Sequence, residues 1–175
     1  MQRRNFSARN RQQGYTLLEL LLYVALIGAL LTSVVSYFGI VADSRVKNQT
    51  IIEVNDQAIA LMDVITQTVR NATAITAPAA GASGSSLTLT VPTGSLSPTV
   101  FALSGTTATI KEGAGAAVNL TDSEVQITSL TFTNLTRTGT SGAVQISFTM
   151  TRVNPASRNE YDYQKTFTTT AEVAW

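Results

Sequence analysis

The longest hydrophobic segment of this chain lies near its start. From Leu20 to Ala42, 23 consecutive residues carry no charge, and most of them are apolar. A helix needs about 20 apolar residues to cross the hydrocarbon core of a bilayer. The pattern therefore predicts a membrane-spanning helix that is apolar on all of its sides.

After Asp43 the pattern becomes amphipathic, and neither proline nor paired glycines separate the two parts. Apolar residues recur at spacings of three and four, at Ile51, Val54, Ala58, Leu61, Ile65 and Val69. This spacing predicts one helix from about residue 15 to about residue 71, with a membrane half at 15–42 and an amphipathic half at 43–72. We expect the apolar stripe to pack on a β-domain. A separate coiled coil is less favoured because the stripe is short.

Residues 78–86 mark a change in composition. They read Pro-Ala-Ala-Gly-Ala-Ser-Gly-Ser-Ser. Small and turn-forming residues of this kind are typical of a flexible linker.

Beyond this segment, apolar and polar residues alternate with the period of two that is typical of half-buried β-strands. A hairpin is predicted from residues 99–103 and 107–111, with its turn at Ser104-Gly105, and a change of phase predicts a bulge near Ser129. The clearest strand has Val144, Ile146, Phe148 and Met150 on one face. The last strand places Phe167, Thr169, Ala171, Val173 and Trp175 on one face. The predicted fold class is α+β, a long N-terminal helix packed on an antiparallel β-sheet head at residues 73–175.

Composition narrows the chemistry of the chain. It contains neither Cys nor His, which excludes disulfides as well as thiolate and imidazole nucleophiles, bases and metal ligands. No catalytic residue, metal site or cofactor is predicted. Asp122 and Glu124 lack the spacing of a calcium loop, and residues 160–165 read as a hairpin flank rather than a contact surface.

Charge is distributed unevenly between the first 14 residues and the rest. The leader, residues 1–14, carries four arginines and no acid, whereas the remaining 8 basic and 11 acidic residues sum to about −3. The leader arginines are Arg3, Arg4, Arg9 and Arg11. They predict that the N-terminus stays in the cytoplasm and the C-terminal domain lies outside, by the positive-inside rule. The acidic remainder does not indicate a nucleic-acid partner.

The junction Gln13-Gly14-Tyr15-Thr16-Leu17-Leu18-Glu19 lies between the leader and the apolar run. An ordinary secretory signal has its small-residue cleavage site after the apolar stretch, so that the stretch is lost. Here Gly14 precedes the stretch, and cleavage after it would retain the helix. Glu19 is a lone acid at the edge of a membrane segment, which makes it a functional candidate.

This order resembles the class III signal of type IV pilins and pseudopilins. The residues that fit the family pattern are Gly14, Tyr15, Thr16, Leu17, Glu19, Leu20, Ala25 and Gly28. Two residues depart from it, because the family usually has Phe after the cleavage site, where Tyr15 stands, and Pro at the position of Ser36. The β-rich head resembles minor pilins and J-type pseudopilins in layout only.

The resemblance implies cleavage between Gly14 and Tyr15 by a prepilin peptidase, N-methylation of the new Tyr15 amine, and pairing of Glu19 with that amine on a neighbouring subunit. It also implies the other partners: pilin subunits of a homo- or hetero-filament, an inner-membrane assembly platform, and the membrane before assembly. The final location would be an extracellular filament at the cell surface.

The expected function is that of a structural subunit, and the missing Pro favours a minor one. A main shaft subunit and a type II secretion pseudopilin remain alternatives. A membrane-anchored receptor or enzyme that keeps its leader is an alternative from a different class.

Overall fold

The computed structural model describes residues 16–174, and in that range one long helix is followed by nine β-strands. The chain divides into two compact units, Met1–Ala42 and Asp43–Trp175. The long helix, α1, covers Leu17–Asn71 and contributes to both units. The α+β fold class expected from the sequence is confirmed.

In the first unit, almost every side chain of α1 is exposed. This part of the helix is long and apolar enough to cross a membrane by length and composition. The hydroxyls of Thr32, Ser33 and Ser36 each donate to the backbone carbonyl four residues earlier, at 2.9, 3.1 and 2.9 Å. Since lipid offers no hydrogen-bond partner, these bonds let polar side chains occupy a membrane segment.

The second unit contains two antiparallel sheets rather than the single sheet that the sequence predicted. Five strands form one sheet in the order β1-β3-β4-β5-β6. They are β1 (Ala74–Ala77), β3 (Leu87–Thr90), β4 (Thr99–Ser104), β5 (Thr107–Glu112) and β6 (Val118–Asn119). Four strands form the other in the order β2-β7-β8-β9. They are β2 (Ser83–Gly84), β7 (Val125–Asn134), β8 (Ala143–Arg152) and β9 (Gln164–Glu172). A period of two shows which face of a strand is buried but not which strands pair, so the division was not visible in the pattern.

One hydrophobic core joins the amphipathic part of α1 to strands of both sheets. On α1 the buried residues are Thr50, Val54, Ala58, Leu61, Ile65 and Val69. Five of these six were predicted, but Thr50 is buried where Ile51 was expected, and Ile51 is half-buried. Thr50 lies one turn before Val54 on the same face, whereas Ile51 is rotated about 100° away from it.

Two local predictions in the head are confirmed. Strands β4 and β5 pair from Thr99–Glu112 to Ser104–Thr107, and Gly105 occupies the turn with a φ of 64°. The register of β7 against β8 shifts between Ile127 and Ser129, which is the predicted bulge. Trp175, predicted on the core face of the last strand, lies outside the described residues.

The segment 78–86 differs from the flexible linker that its composition predicted. It contains β2, which pairs with β7, and the side-chain amide of Asn134 donates to the Pro78 carbonyl at 2.8 Å. The Gly81 N–H donates to the Asn134 carbonyl, also at 2.8 Å. Residues with small side chains suit a linker, but they equally allow a backbone to approach a sheet edge closely. Here the segment is docked on the head.

Candidate functional site

The predicted site residues that the structure describes lie at the start of α1. Gly14, Tyr15 and the leader arginines Arg3, Arg4, Arg9 and Arg11 lie outside the described residues. Thr16 and Glu19 lie at the first turn, where the Thr16 hydroxyl accepts a hydrogen bond from the Glu19 N–H at 3.3 Å. Thr-x-x-Glu is the sequence of a capping box, so Thr16 defines where the helix begins.

The Glu19 carboxylate is half-buried, and the Tyr23 hydroxyl donates to its Oε1 at 3.4 Å. Residues four apart on a helix lie on one face, so Tyr23 stands one turn further along the Glu19 side. Sequence reasoning missed this contact, although the spacing of four between an acid and a hydroxyl was a signal that could have revealed it.

Glu19 is the one charged residue between the leader and Asp43. The three ion pairs found among residues 16–174 all involve an arginine of the head, and one of them joins it to Glu53 of α1. An ionised carboxylate offers about four acceptor positions, so the Tyr23 hydroxyl leaves most of them open. In apolar surroundings such a group requires a cationic partner. The geometry therefore leaves acceptor positions of the Glu19 carboxylate open.

A second polar cluster lies in the head around Arg152. Its guanidinium forms ion pairs with Glu53 of α1 and with Glu124, the latter at 2.5 Å. The guanidinium carbons of Arg152 and Arg158 lie 5.9 and 5.5 Å from the ring centre of Tyr161. These contacts attach the β8–β9 connection to α1, which agrees with the hairpin-flank interpretation of residues 160–165.

Arg158 also forms an ion pair with Glu160. A hydrogen bond from the backbone N–H of Glu160 itself holds the pKa of this carboxyl below its ordinary value of 4.5. Partial burial opposes this effect, and the neighbouring Arg158 guanidinium reinforces it. The pair is local to the connection and belongs to its structure.

The remaining acidic candidates have structural partners. Asp122 accepts from the Gln57 side chain at 2.5 Å and from the Glu124 N–H at 2.9 Å, while Glu124 binds Arg152. Within residues 16–174 no cluster of three or more potential metal ligands occurs. A cleft of about 560 Å³ lies near the end of α1, and Arg70 and Glu112 are among its lining residues. Neither of these two residues forms an ion pair with another described residue.

The prokaryotic N-terminal methylation motif matches residues 9–35, the range that contains Gly14, Tyr15 and Glu19. No curated protein and no solved structure matches the chain. The matched range also includes residues 17–35 of the exposed apolar part of α1. The motif points to a structural subunit rather than an enzyme, to processing by a prepilin peptidase, and to assembly with other pilin subunits. Residues 9–35 thus carry the class III signal of type IV pilins and pseudopilins.

Proposed function

We propose that this chain is a minor structural subunit of a type IV pilus-like filament, cleaved between Gly14 and Tyr15, N-methylated at Tyr15 and assembled through α1. The observation that carries the proposal is Glu19, a single carboxylate in the capped first turn of an otherwise uncharged apolar segment, within the methylation motif.

Cleavage changes the electrostatics of the N-terminus. It removes the four leader arginines and creates a new α-amine at Tyr15. The arginines hold the leader on the cytoplasmic side of the membrane, because cytoplasmic flanks retain basic residues. A helix without them can leave the bilayer for a filament. Processing therefore precedes assembly.

Pairing of Glu19 with the Tyr15 amine of a neighbouring subunit then fixes how two helices align. N-methylation preserves the positive charge of the amine, so the pair survives the modification. An unpaired carboxylate buried among apolar helices is strongly disfavoured, so alignments that leave Glu19 without a cation are excluded. The Tyr23 hydroxyl holds one carboxylate oxygen and leaves the other for the amine.

The unbroken path of α1 through Ser36 supports a minor subunit. Where the family usually has Pro, Ser36 donates its hydroxyl to the Thr32 carbonyl, and the helix continues. Proline removes a backbone hydrogen bond and kinks a helix, so this helix lacks the interruption expected of the main shaft. A subunit present in few copies does not have to follow the lattice of that shaft.

The decisive experiment is mass spectrometry of the N-terminal peptide from sheared surface filaments of the native cells. We expect a peptide that starts at Tyr15 and carries one added methyl group. A leader-bearing protein confined to the membrane fraction would instead support an anchored receptor or enzyme. A processed protein that is absent from surface filaments would support the secretion pseudopilin.

A matched pair of variants tests the cleavage site itself. Gly14→Ala keeps a small residue and should slow processing, whereas the branched side chain of Gly14→Val should abolish it. The measurement is the ratio of leader-bearing to processed protein on immunoblots of whole cells. Normal processing of Gly14→Val would contradict cleavage at this position.

A further inference from the structure

Strand β9 is a long edge strand. It lies at the end of the sheet β2-β7-β8-β9, and its nine residues pair with β8 on one side without a bulge. The outer side of an edge strand presents unpaired backbone N–H and C=O groups that can pair with another chain.

The ladder shows which residues of β9 point outward. At its two ends, the Arg152 N–H donates to the Tyr163 carbonyl at 3.3 Å and the Val173 N–H donates to the Gly142 carbonyl at 2.7 Å. Odd-numbered residues of β9 therefore bond to β8, and even-numbered residues direct their backbone groups outward. The outward residues of the strand are Gln164, Thr166, Thr168, Thr170 and Glu172, and all five are exposed.

Within the described chain, no backbone carbonyl accepts a hydrogen bond from these five N–H groups. The next outward residue, Ala174, donates to the Arg70 carbonyl at 3.3 Å, so the free edge ends where α1 ends. Natural edge strands are commonly protected by proline, bulges or charged side chains, especially Lys. In β9, Lys165 and Glu172 lie near the two ends of the strand. Between Thr166 and Ala171 this edge has none of these protections.

We infer that β9 pairs with β9 of a second copy of this chain, antiparallel and centred on Thr168. In this register Thr168 faces Thr168, Thr166 faces Thr170, and Gln164 faces Glu172. Facing residues lie on the same side of the sheet, as antiparallel pairing requires, and no like charges oppose each other. Each outward residue exchanges two backbone hydrogen bonds with its partner.

The outer face of the sheet favours a second copy over an unrelated strand. Thr131, Ser147 and Thr168 stand side by side on β7, β8 and β9, and the Ser147 and Thr168 hydroxyls lie 3.2 Å apart. The Thr149 and Thr166 hydroxyls lie 2.8 Å apart. A second copy extends this row of hydroxyls across the two-fold axis, so the edge is complementary to itself.

The pairing imposes opposite directions on the two copies. Residues 55–70 of α1 run alongside β9 in the same direction, since Lys165 donates to Asn55 at one end and Ala174 to Arg70 at the other. A two-fold axis makes these helices antiparallel in the pair. Subunits of one filament share one direction, so the pair connects two separate filaments. Only this last step rests on the proposed function.

Disulfide trapping of the full-length protein in detergent tests the pairing, because the native chain has no cysteine. At the two-fold axis the Cα atoms of residue 168 would lie about 5.5 Å apart, within the range of about 4.4–6.8 Å that a disulfide spans. Thr168→Cys should give a covalent dimer on mild oxidation. Thr131→Cys, exposed on the same face but two strands inward, is the control and should remain monomeric.

A second variant separates pairing from nonspecific oxidation. Thr166→Pro in the Thr168→Cys background removes an outward N–H and the hydroxyl contact with Thr149, but no backbone hydrogen bond to β8. The dimer should therefore be lost while the circular dichroism spectrum is retained. Equal crosslinking of Thr168→Cys and Thr131→Cys would overturn the inference, as would a Thr168→Cys protein that remains monomeric or is crosslinked to a different protein. The assay requires neither cleavage nor filaments, so its failure is distinct from failure of the proposed function.

Discussion

At Glu19, a single carboxylate combines local stabilisation with an open position for a partner. The Thr16 cap fixes the turn and the Tyr23 hydroxyl holds one oxygen. We expect Glu19→Ala to insert into the membrane but to enter filaments at least about thirtyfold less, because loss of one partner from the proposed charge pair costs about 2–5 kcal/mol. The measurement is the ratio of variant to wild-type protein in sheared filaments and in membranes.

Tyr23→Phe is the matched control for this variant, because it removes one neutral hydroxyl and leaves the carboxylate. Its effect on incorporation should be smaller, about threefold, since a single hydrogen bond contributes about 0.5–1.5 kcal/mol. Unchanged incorporation of Glu19→Ala would show that the carboxylate is not paired.

Gly113 is a backbone position that only glycine fits. Its φ is +52°, its N–H lies 3.1 and 3.0 Å from the Leu96 and Pro98 carbonyls, and a Cβ would lie 2.1 Å from the Ser95 carbonyl oxygen. Gly113→Ala should lower the free energy of unfolding by about 2–4 kcal/mol, because steric clash adds to backbone strain. Urea denaturation of the full-length protein in detergent measures the effect.

Gly105→Ala is the control for Gly113→Ala. Gly105 also has a positive φ, +64°, but a Cβ added to it would meet open space, with no neighbouring atom within 4 Å. It should therefore show only the strain, about 1–2 kcal/mol. Equal losses for the two variants would mean that the contact with Ser95 relaxes without cost.

The candidate site was predictable at the residue scale only in part. Thr16 and Glu19 could be identified because capping and a lone acid in an apolar run are properties of sequence alone. Tyr23 was missed because a tyrosine in an apolar helix is equally compatible with packing, although its spacing of four from Glu19 was a signal for the contact.

At the scale of elements, Arg152 connects three parts of the head. Its guanidinium binds Glu53 of α1 and Glu124 before β7, while Arg152 itself ends β8. The Arg152 side chain is only 15% exposed. Arg152→Met should lower the free energy of unfolding by about 1–3 kcal/mol, because it leaves two carboxylates without their hydrogen-bond donor.

Arg158→Met provides the comparison. The Arg158 guanidinium also lies over the Tyr161 ring, but the Arg158 side chain is 53% exposed. Its cost should stay near or below about 0.5 kcal/mol, as is usual for surface substitutions. Thermal denaturation of both variants distinguishes them. A similar loss for each would indicate that the contacts of Arg158 with Tyr161 and Glu160 stabilise this region as much as the ion pairs of Arg152 do.

Single elements were predicted better than their pairing. The β4–β5 hairpin follows from a Ser-Gly turn between two alternating segments, and the β7 bulge follows from a change of phase near Ser129. The division into two sheets and the docking of residues 78–86 on β7 depend on contacts between distant segments. Alternation along one strand contains no information about such contacts.

At the scale of the molecule, the amphipathic part of α1 completes the core of the head. Leu61 is 1% exposed within a cluster that includes strands of both sheets. Leu61→Ala should reduce the free energy of unfolding by about 2–5 kcal/mol, since it removes buried methyl groups and leaves a cavity. The chain has no cysteine, so no disulfide compensates for the loss.

Ile59→Ala is the matched control, because Ile59 lies on the same helix but is 51% exposed. Its effect on unfolding should remain within about 0.5 kcal/mol. Chemical denaturation followed by circular dichroism compares the two proteins. If Leu61→Ala were no less stable than Ile59→Ala, the buried stripe would not be a determinant of the fold.

The buried stripe of α1 also has a mechanical consequence. Tension on the chain enters the head at residue 43 and passes directly into the helix that forms the core. From Thr50 to Val69 the stripe is buried at every turn, so force along the helix acts in shear on all of these contacts at once. All contacts of an interface that is loaded in shear must break together, whereas strands that are peeled apart separate one hydrogen bond at a time. The head therefore resists removal of residues 50–69 by distributing the load over the whole core.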